Sequence, residues 1–250
     1  MEILFLGTAG ARYVVAKQFR ASGGLLFFVN GEITLIDPGP GTLVYLSKNR
    51  INPERIKNII VTHKHLDHSA DLNIICDALT EGGFKRRGKL FITEEALKEG
   101  ILLPYLRDNL EEIHLLKEHE NYCSGALQFK TTCKLVHNAE NYGVQFLLPS
   151  GKRLGLISDT AYFEELKREF EGCDYLIMNL VRFEAKEGVL HLSVEDAKRL
   201  LSYLKPEITI ITHFGMTMLR SKPSLVAKTM SEELGLKVIS AFDNMRVSLM

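Results

Sequence analysis

The sequence predicts an α+β fold, in which helices cover one mixed β-sheet or two such sheets packed face to face. The chain has 250 residues, of which 46% are hydrophobic and 25% are charged, so it can bury a large core. Short apolar runs alternate with segments of helical spacing. A tight turn at Asn30-Gly31, near the start of the chain, argues against a purely parallel sheet.

Eleven short apolar runs, rich in Ile, Val, Leu and Phe, are predicted to be strands. They are Ile3–Leu6, Leu25–Val29, Ile33–Ile36, Ile59–Val61, Leu90–Ile92, Val144–Leu148, Leu154–Ile157, Tyr175–Met178, Ile208–Ile211, Val238–Ala241 and Val247–Leu249. Asn30-Gly31 separates the second run from the third, and Pro149–Lys152 separates the sixth from the seventh. Both separators have the residues of tight turns, so each predicts a hairpin.

Six segments have the spacing of helices. They are Leu43–Asn49, Ala70–Leu79, Glu94–Lys98, Phe163–Phe170, Val194–Leu204 and Ser224–Leu234. Ser193 and Asp196 have the spacing of a capping box at the start of the fifth segment, and Pro206 follows its end. No long linker or low-complexity tract divides the chain, so we predict one domain over residues 1–250.

Charge and composition exclude several classes of protein. The 31 Lys and Arg residues balance the 31 Asp and Glu residues, so no net field attracts nucleic acid or an anionic membrane. No apolar stretch approaches the roughly 20 residues that span a bilayer, and no signal-peptide core is present. We therefore expect a cytoplasmic protein without a membrane partner, and the prevalence of symmetric dimers favours a homodimer.

Four apolar segments each lead into a side chain that can bind a metal ion. Ile59–Thr62 precedes His63, Lys134–Val136 precedes His137, Gly155–Ser158 precedes Asp159, and Ile208–Thr212 precedes His213. Ligands at the ends of neighbouring strands can converge at one edge of a sheet. We therefore expect these four side chains to meet.

Three more candidate ligands, His65, Asp67 and His68, follow His63 closely. The resulting set has five imidazoles, two carboxylates and no thiolate, which suits zinc, iron or manganese and argues against a closed structural zinc site. The number of donors suits two metal ions. Two ions close together can share a hydroxide and hold the attacking and leaving oxygens of an ester.

The segment Thr62–His68 resembles the His-x-His-x-Asp-His signature of the metallo-β-lactamase fold superfamily. His137, Asp159 and His213 follow in the order of the later motifs of that superfamily. The segments Phe5–Gly10 and Ile36–Gly39 resemble further landmarks, so the likeness covers nearly the whole chain. It implies a four-layer αβ/βα sandwich of two mixed sheets, with two metal ions, most readily zinc and otherwise manganese or iron, in the cleft between the sheets.

The resemblance also implies how the ligands are shared. His63, His65 and His137 would hold one metal ion, Asp67, His68 and His213 would hold the other, and Asp159 would bridge the two. Asp37 would orient a ligand without binding metal. Asp67 would also belong to the catalytic residues.

The segment His191–Ala197 resembles an element of the ribonuclease Z and phosphodiesterase branch of the superfamily. In that branch the histidine protonates the leaving oxygen and a carboxylate follows four residues later, which implies catalytic roles for His191 and Glu195. The alternative is a histidine packed at the start of a helix. Arg182 resembles an arginine of phosphodiesterase-like members and would bind an anionic group, or else it pairs with Glu184 on the surface.

Two features differ from ribonuclease Z. Its long forms insert a tRNA-gripping arm between the third histidine and the bridging aspartate, whereas here only the hairpin Tyr142–Leu156 lies there. The net charge is zero, and we expect the basic run Lys85–Lys89 to be a solvated loop. A small anionic substrate is therefore favoured over nucleic acid. We expect the loops Arg12–Ser22, Ile75–Lys89 and Phe183–Leu190 to cover the cleft.

The sequence thus predicts a binuclear metal-dependent hydrolase of a phosphodiester or a related small anionic ester. A metal-bridging hydroxide would attack, and His191 would protonate the departing oxygen. Thioester or lactone hydrolysis is the alternative within the enzyme class. Reduction of oxygen or nitric oxide at a di-iron site is a second enzymatic alternative, and a metal-stabilised binding domain is the non-enzymatic one.

Overall fold

The computed structural model describes residues 1–249 and contains two seven-stranded β-sheets. The strands are β1 (Glu2–Phe5), β2 (Leu25–Val29), β3 (Glu32–Ile36), β4 (Ile56–Val61), β5 (Lys89–Thr93), β6 (Glu112–Leu116), β7 (Asn121–Ser124), β8 (Leu127–Lys134), β9 (Tyr142–Leu147), β10 (Arg153–Ile157), β11 (Tyr175–Asn179), β12 (Ile208–Thr212), β13 (Val238–Ser240) and β14 (Met245–Ser248). The first sheet has the order β14-β1-β2-β3-β4-β5-β6, and the second has the order β13-β12-β11-β10-β9-β8-β7.

Ten α-helices of residues 1–249 connect these strands. They are α1 (Arg12–Lys17), α2 (Thr42–Lys48), α3 (Leu66–Ser69), α4 (Leu72–Leu79), α5 (Glu94–Lys98), α6 (Pro104–Arg107), α7 (Glu165–Glu169), α8 (Val194–Leu204), α9 (Met216–Arg220) and α10 (Pro223–Leu234). A short 3₁₀ helix spans Pro53–Arg55. None of these helices is both long and apolar enough to cross a membrane.

Both sheets are mixed. In the first, β14, β1, β2 and β3 pair antiparallel, and β3 to β6 pair parallel. In the second, β7 to β10 pair antiparallel, and β10 to β13 pair parallel. The hairpin at Asn30-Gly31 joins β2 to β3, and the one at Pro149–Lys152 joins β9 to β10, as predicted.

Three apolar clusters define four layers. One cluster lies between the sheets, where Phe27 of the first meets Phe146 of the second with ring centroids 4.9 Å apart. A second cluster packs the outer face of the first sheet against α2 and α4. The third packs the second sheet against α8 and α10. The chain is therefore a four-layer αβ/βα sandwich, and the predicted fold class is confirmed.

All eleven predicted strands are present, but β6, β7 and β8 were not predicted. Along β8 the residues alternate between buried and exposed for much of its length, because its hairpin with β7 forms an edge of the second sheet. Alternating strands contain polar residues on one face and escape a search for apolar runs. His137 does not directly follow a strand, because β8 ends at Lys134, three residues earlier.

The helix α8 begins and ends as the sequence predicts. Ser193 Oγ accepts from the Asp196 backbone N–H at 3.3 Å, and Asp196 Oδ2 accepts from the Ser193 N–H at 2.9 Å, which completes the capping box. The predicted helix Ala70–Leu79 instead begins at Leu72 and is preceded by the separate turn α3. The short helices α1, α6 and α9 were not predicted.

Candidate metal centre

Three imidazoles from both sheets form the three-histidine group, which consists of His63, His65 and His137. His65 Nδ1 lies 3.1 Å from His63 Nε2 and 3.1 Å from His137 Nε2. Neighbouring ligand atoms around a tetrahedral zinc with ordinary Zn–N distances are about 3.3 Å apart. The nitrogen atoms of this group therefore already have almost the spacing that one metal ion requires.

The mixed group consists of Asp67, His68, Asp159 and His213. The Nε2 atoms of His68 and His213 are 3.2 Å apart. Asp159 Oδ2 lies 3.4 Å from His68 Nε2 and 3.5 Å from His213 Nε2. Asp67 Oδ2 is 3.5 Å from His213 Nε2. One donor atom from each residue lies within 4.8 Å of the others, so this group too can surround one ion.

The structure thus brings together all seven side chains that the sequence predicts as metal ligands. The three-histidine group contains the three residues expected at one ion, and the mixed group contains those expected at the other. Asp159, the expected bridge, lies within the mixed group. Its Oδ2 is also 3.6 Å from Nδ1 of His191.

Strand ends and strained backbone place these ligands. His213 follows β12 directly, with a positive φ of 61°, and Asp37 follows β3 with a φ of 52°. Residues other than glycine rarely adopt this left-handed conformation, and such strain is concentrated at functional sites. Gly10 packs against the backbone of His213, where a Cβ atom would lie 2.2 Å from the His213 carbonyl oxygen. The segment Phe5–Gly10 thus supports a ligand through close backbone approach.

Asp37 orients His68, as the resemblance implies. Asp37 Oδ2 accepts from Nδ1 of His68 at 2.9 Å, which leaves Nε2 facing the mixed group. The same carboxylate accepts from the backbone N–H of Thr62 at 2.7 Å and from its hydroxyl at 2.8 Å. On the other side, His137 Nδ1 donates to the carbonyl oxygen of Leu190 at 3.1 Å. Both imidazoles are therefore held in one orientation by a hydrogen bond at Nδ1.

Asn179, at the end of β11, was not identified from the sequence. Its Nδ2 donates to Oδ1 of Asp159 at 2.8 Å, so Oδ2 is the oxygen that faces His68 and His213. Asn141 Nδ2 also donates to the backbone carbonyl of Asp159, at 2.6 Å. A polar residue at the end of an apolar strand was the available signal, and it is the same signal that identified the histidines.

The two groups differ in their affinity for protons. Burial lowers the pKa of His63 well below its usual value and that of His137 to about 4. Burial would also lower the pKa of His213, but the charge of Asp159 and the hydrogen bonds with Asp159 and Asp67 together outweigh it and raise the pKa to about 9. The pKa of His68 is raised in the same way, against burial, by Asp37 and then Asp159. The three-histidine group thus has a low affinity for protons, whereas the mixed group has a high one.

His191 lies beside the two groups in a cleft of about 360 Å³. Its ring is 5.1 Å from that of His137, centroid to centroid. Its Nδ1 atom is buried and makes no hydrogen bond within residues 1–249. Burial lowers the pKa of this imidazole. The cleft, as defined here, is lined by the residues Ala11, Arg12, His65, Asp67, His137, Asn138, Asp159 and His191.

Glu195 and Arg182 are placed differently from the expectation. Glu195 is exposed on the first turn of α8 and makes no hydrogen bond or ion pair in the described chain, so it does not join the metal centre. The acidic residue with a defined contact at this helix start is Asp196. Arg182 Nε donates to the backbone carbonyl of Glu184 at 2.9 Å, and Arg182 does not line the cleft. This contact corresponds to the surface alternative, although the acceptor is the carbonyl instead of the carboxylate.

The basic run Lys85–Lys89 lies at the far end of the first sheet. Lys89 pairs with Asn58 near the beginning of β4, whereas His63 follows the end of that strand. Lys89 also forms an ion pair with Glu112 at 2.7 Å. The loop Ile75–Lys89 therefore does not cover the cleft, contrary to expectation. Of the other two expected loops, one contributes Arg12 to the cleft and the other contributes the Leu190 carbonyl behind His137.

Comparison with known families agrees with this architecture. A family model described as "Beta-lactamase superfamily domain" matches residues 33–214. An uncharacterized protein of Methanocaldococcus jannaschii, MJ1374, is 32% identical over 261 aligned residues, which cover 100% of this chain and 96% of that protein. The chain belongs to the metallo-β-lactamase fold hydrolases and is related to ribonuclease Z.

Individual relatives and solved structures resemble different shares of the chain. The ribonuclease Z of Thermococcus sibiricus is 30% identical over 122 residues, which are 45% of this chain and 38% of that enzyme. Among solved structures, YhfI from Bacillus subtilis has a TM-score of 0.82 at 18% identity over 98% of both chains. Human short-form tRNase Z has a TM-score of 0.77 at 18% identity over 100% of both chains. A diphosphatase of the PhnP family has a TM-score of 0.74 at 18% identity, over 100% of this chain and 98% of that one.

Proposed function

We propose that this protein is a binuclear metal-dependent hydrolase of phosphodiesters or related small anionic esters, in which His191 donates a proton to the leaving oxygen. One observation carries the proposal: two groups of donor atoms and the His191 imidazole, whose buried Nδ1 has no hydrogen-bond partner, open onto one cleft. The names of the relatives, ribonuclease Z, tRNase Z and diphosphatase, also favour a phosphate ester or anhydride over a carboxylic ester.

The donor sets fit divalent metal ions. Imidazoles and carboxylates suit zinc, and also manganese or iron. The three-histidine group would hold one ion and the mixed group the other. When bound, two such ions supply Lewis acidity and the nucleophile for hydrolysis.

The residues of the chain hold these donors in place and move a proton. Asp37 and the Leu190 carbonyl fix the two histidines that they contact, and Asn179 fixes Asp159. His191 stands in the cleft with Asp159 Oδ2 at 3.6 Å from its Nδ1. A negatively charged ester in the cleft would oppose the effect of burial on its pKa, since an opposite charge favours the protonated imidazole. The protonated ring can then release the leaving group as an alcohol.

The charge around the cleft favours a small substrate over a nucleic acid. Arg12 supplies the cationic side chain in the lining of the cleft. Within residues 1–249 it makes no ion pair. Lys64, nearby, is already paired with Glu95 at 3.0 Å and with Glu99 at 2.6 Å. A long polyanion is usually held by an extended basic face, and these contacts do not provide one.

The test combines metal analysis with two assays of hydrolysis, one on a p-nitrophenyl phosphodiester and one on a phosphodiester with an alkyl leaving group. Protein purified without chelator should contain two metal ions per chain and cleave bis-p-nitrophenyl phosphate until the metal is stripped. His191→Ala should keep the metal but lose about 100-fold or more of its turnover on a diester with an alkyl leaving group. It should lose much less on the p-nitrophenyl diester, because nitrophenolate leaves without a proton.

His119→Ala is the matched control, since His119 is exposed and pairs with Glu169 away from the cleft. This variant should behave like the wild type with both substrates. Equal losses of His191→Ala on both diesters would contradict the proton-donor role. Metal-dependent cleavage of thioesters or lactones but of no diester would replace the proposed substrate class, and a protein without stoichiometric metal would exclude the hydrolase.

A further inference from the structure

An apolar groove adjoins the metal centre and is not used by the proposed chemistry. It has a volume of about 640 Å³ and runs between α1 and the segment that carries the ligands. Its apolar lining consists of Val15, Ala16, Pro40, Leu66, Ala70 and Ile101. This volume falls in the range of about 300–1,000 Å³ that small-molecule sites occupy.

The groove and the cleft are adjacent. Arg12, His65 and Asp67 line both of them. A ligand with one end at the metal donors would therefore have its other end beside the groove. This shared lining is why we take the occupant of the groove to be part of the same ligand.

Leu66 is the clearest sign of an apolar occupant. It lies between the ligands His65 and Asp67 in sequence, on the short helix α3, and its side chain is 72% exposed. Single exposed leucines are common. This one, however, forms the wall of a concave, mainly apolar surface beside the metal donors, where a ligand would cover it.

Arg12 marks the junction where the polar part of the ligand would lie. Its side chain makes no hydrogen bond or ion pair in the described chain, and it lines the cleft together with His65 and Asp67. Lys64, on the rim of the groove, is neutralised by two glutamates. The uncompensated positive charge is therefore where the groove and the cleft adjoin, because Arg12 lines both of them.

We propose that the groove binds an apolar ester substituent of the substrate, while Arg12 contacts the anionic phosphate at the junction. The substrate is accordingly an amphipathic phosphate ester, with an alkyl or aryl group on one oxygen. This inference rests on the proposed function, since it takes the phosphate to be at the metal centre.

Equilibrium binding tests the groove without requiring turnover. The metal-loaded protein should bind n-hexyl phosphate at least about tenfold more tightly than methyl phosphate, as measured by calorimetry, because a filled apolar pocket discriminates by about this factor or more. Leu66→Ser should reduce that preference severalfold or abolish it. Val15→Ser, on the opposite wall, should have the same effect. Because Val15 is not adjacent in sequence to His65 or Asp67, this variant shows whether the effect of Leu66→Ser comes from the groove or from a disturbance of the neighbouring metal ligands.

The control is Leu225→Ser on α10, which makes the same substitution at a leucine that is 55% exposed and outside the groove. It should retain the full preference for n-hexyl phosphate. Arg12→Gln should weaken the binding of both phosphates by a similar factor, so the ratio between them stays constant.

Equal affinities of the wild type for the two phosphates would overturn the inference. So would a preference that survives in both Leu66→Ser and Val15→Ser. The proposed hydrolysis is assessed separately with p-nitrophenyl methyl phosphate, whose small ester group makes no use of the groove. A protein that prefers n-hexyl phosphate but cleaves no diester would support the groove and refute the hydrolase.

Discussion

The two metal groups should respond differently to pH, and this difference can be measured. The pKa of His213 is about 9 because its interactions with Asp159 and Asp67 together outweigh the effect of burial. A metal ion that binds to the mixed group must displace this proton. Below that pKa, each lower pH unit should weaken binding about tenfold per displaced proton. At pH 7, two units below, the affinity should be roughly 50-fold weaker than at pH 9, where about half of His213 is already deprotonated, and this difference corresponds to about 2 kcal/mol.

The three-histidine group should show no such dependence in this range. Burial holds the pKa of His137 at about 4 and that of His63 well below its usual value, so near pH 7 these imidazoles are neutral. Neutral imidazoles bind a metal ion without releasing protons. This group should therefore take the first ion when metal is limiting.

Calorimetric titration of chelator-stripped protein with zinc separates the two effects. Comparing buffers of different ionisation enthalpy gives the number of protons released per ion. The first equivalent should release almost none near pH 7, and the second should release at least one. His63→Ala isolates the mixed group, and its zinc affinity should rise between pH 7 and pH 9.

The matched variant His213→Ala isolates the three-histidine group, whose affinity should stay constant over the same range. The reasoning is refuted if His63→Ala binds zinc equally well at pH 7 and pH 9. It is also refuted if the pH dependence is found in His213→Ala instead, since the electrostatic assignment of the two groups would then be reversed.

Three further substitutions test the supports of the site. Asn179→Ala frees Oδ1 of Asp159 and should lower zinc affinity about 10- to 100-fold; an unchanged affinity by calorimetry contradicts this role. Gly10→Ala forces a Cβ to within 2.2 Å of the His213 carbonyl and should destabilise the fold by about 1–3 kcal/mol in urea denaturation. A variant as stable as the wild type would show that the backbone can relax there. Ser193→Ala removes the helix cap and should cost about 1 kcal/mol in the same assay.

The grouping of the candidate metal ligands could be predicted from the sequence because the signal is local. An apolar run that leads into a histidine or aspartate indicates a strand, and it also indicates that the metal-donor side chain lies at the carboxyl end of that strand. His213 directly follows β12, and His63 and Asp159 each follow a strand by two residues. The superfamily resemblance then assigned each donor to a group, and the structure gathers the donors in the same two sets.

Contacts between distant segments could not be predicted in this way. Asp71 shows the difficulty: its sequence position indicates a helix start or a hydrogen bond to a ligand histidine. In the structure its carboxylate accepts from the backbone N–H of Leu43 at 3.0 Å, at the start of the neighbouring helix α2. Nothing within either segment indicates the other. The hydrogen bond from Asn179 to Asp159 and the apolar groove likewise exist only once separate elements have packed.

The distribution of the donors over the two sheets links metal binding to the packing of the whole sandwich. The residues that follow β4 in the first sheet supply two donors to each group, namely His63 and His65 to one, and Asp67 and His68 to the other. The second sheet supplies His137 to the first group, and Asp159 and His213 to the second. Neither sheet alone provides three donors to any group. An ion that requires at least three donors therefore binds only after the sheets have docked across the core at Phe27 and Phe146, and by linkage it stabilises that docking.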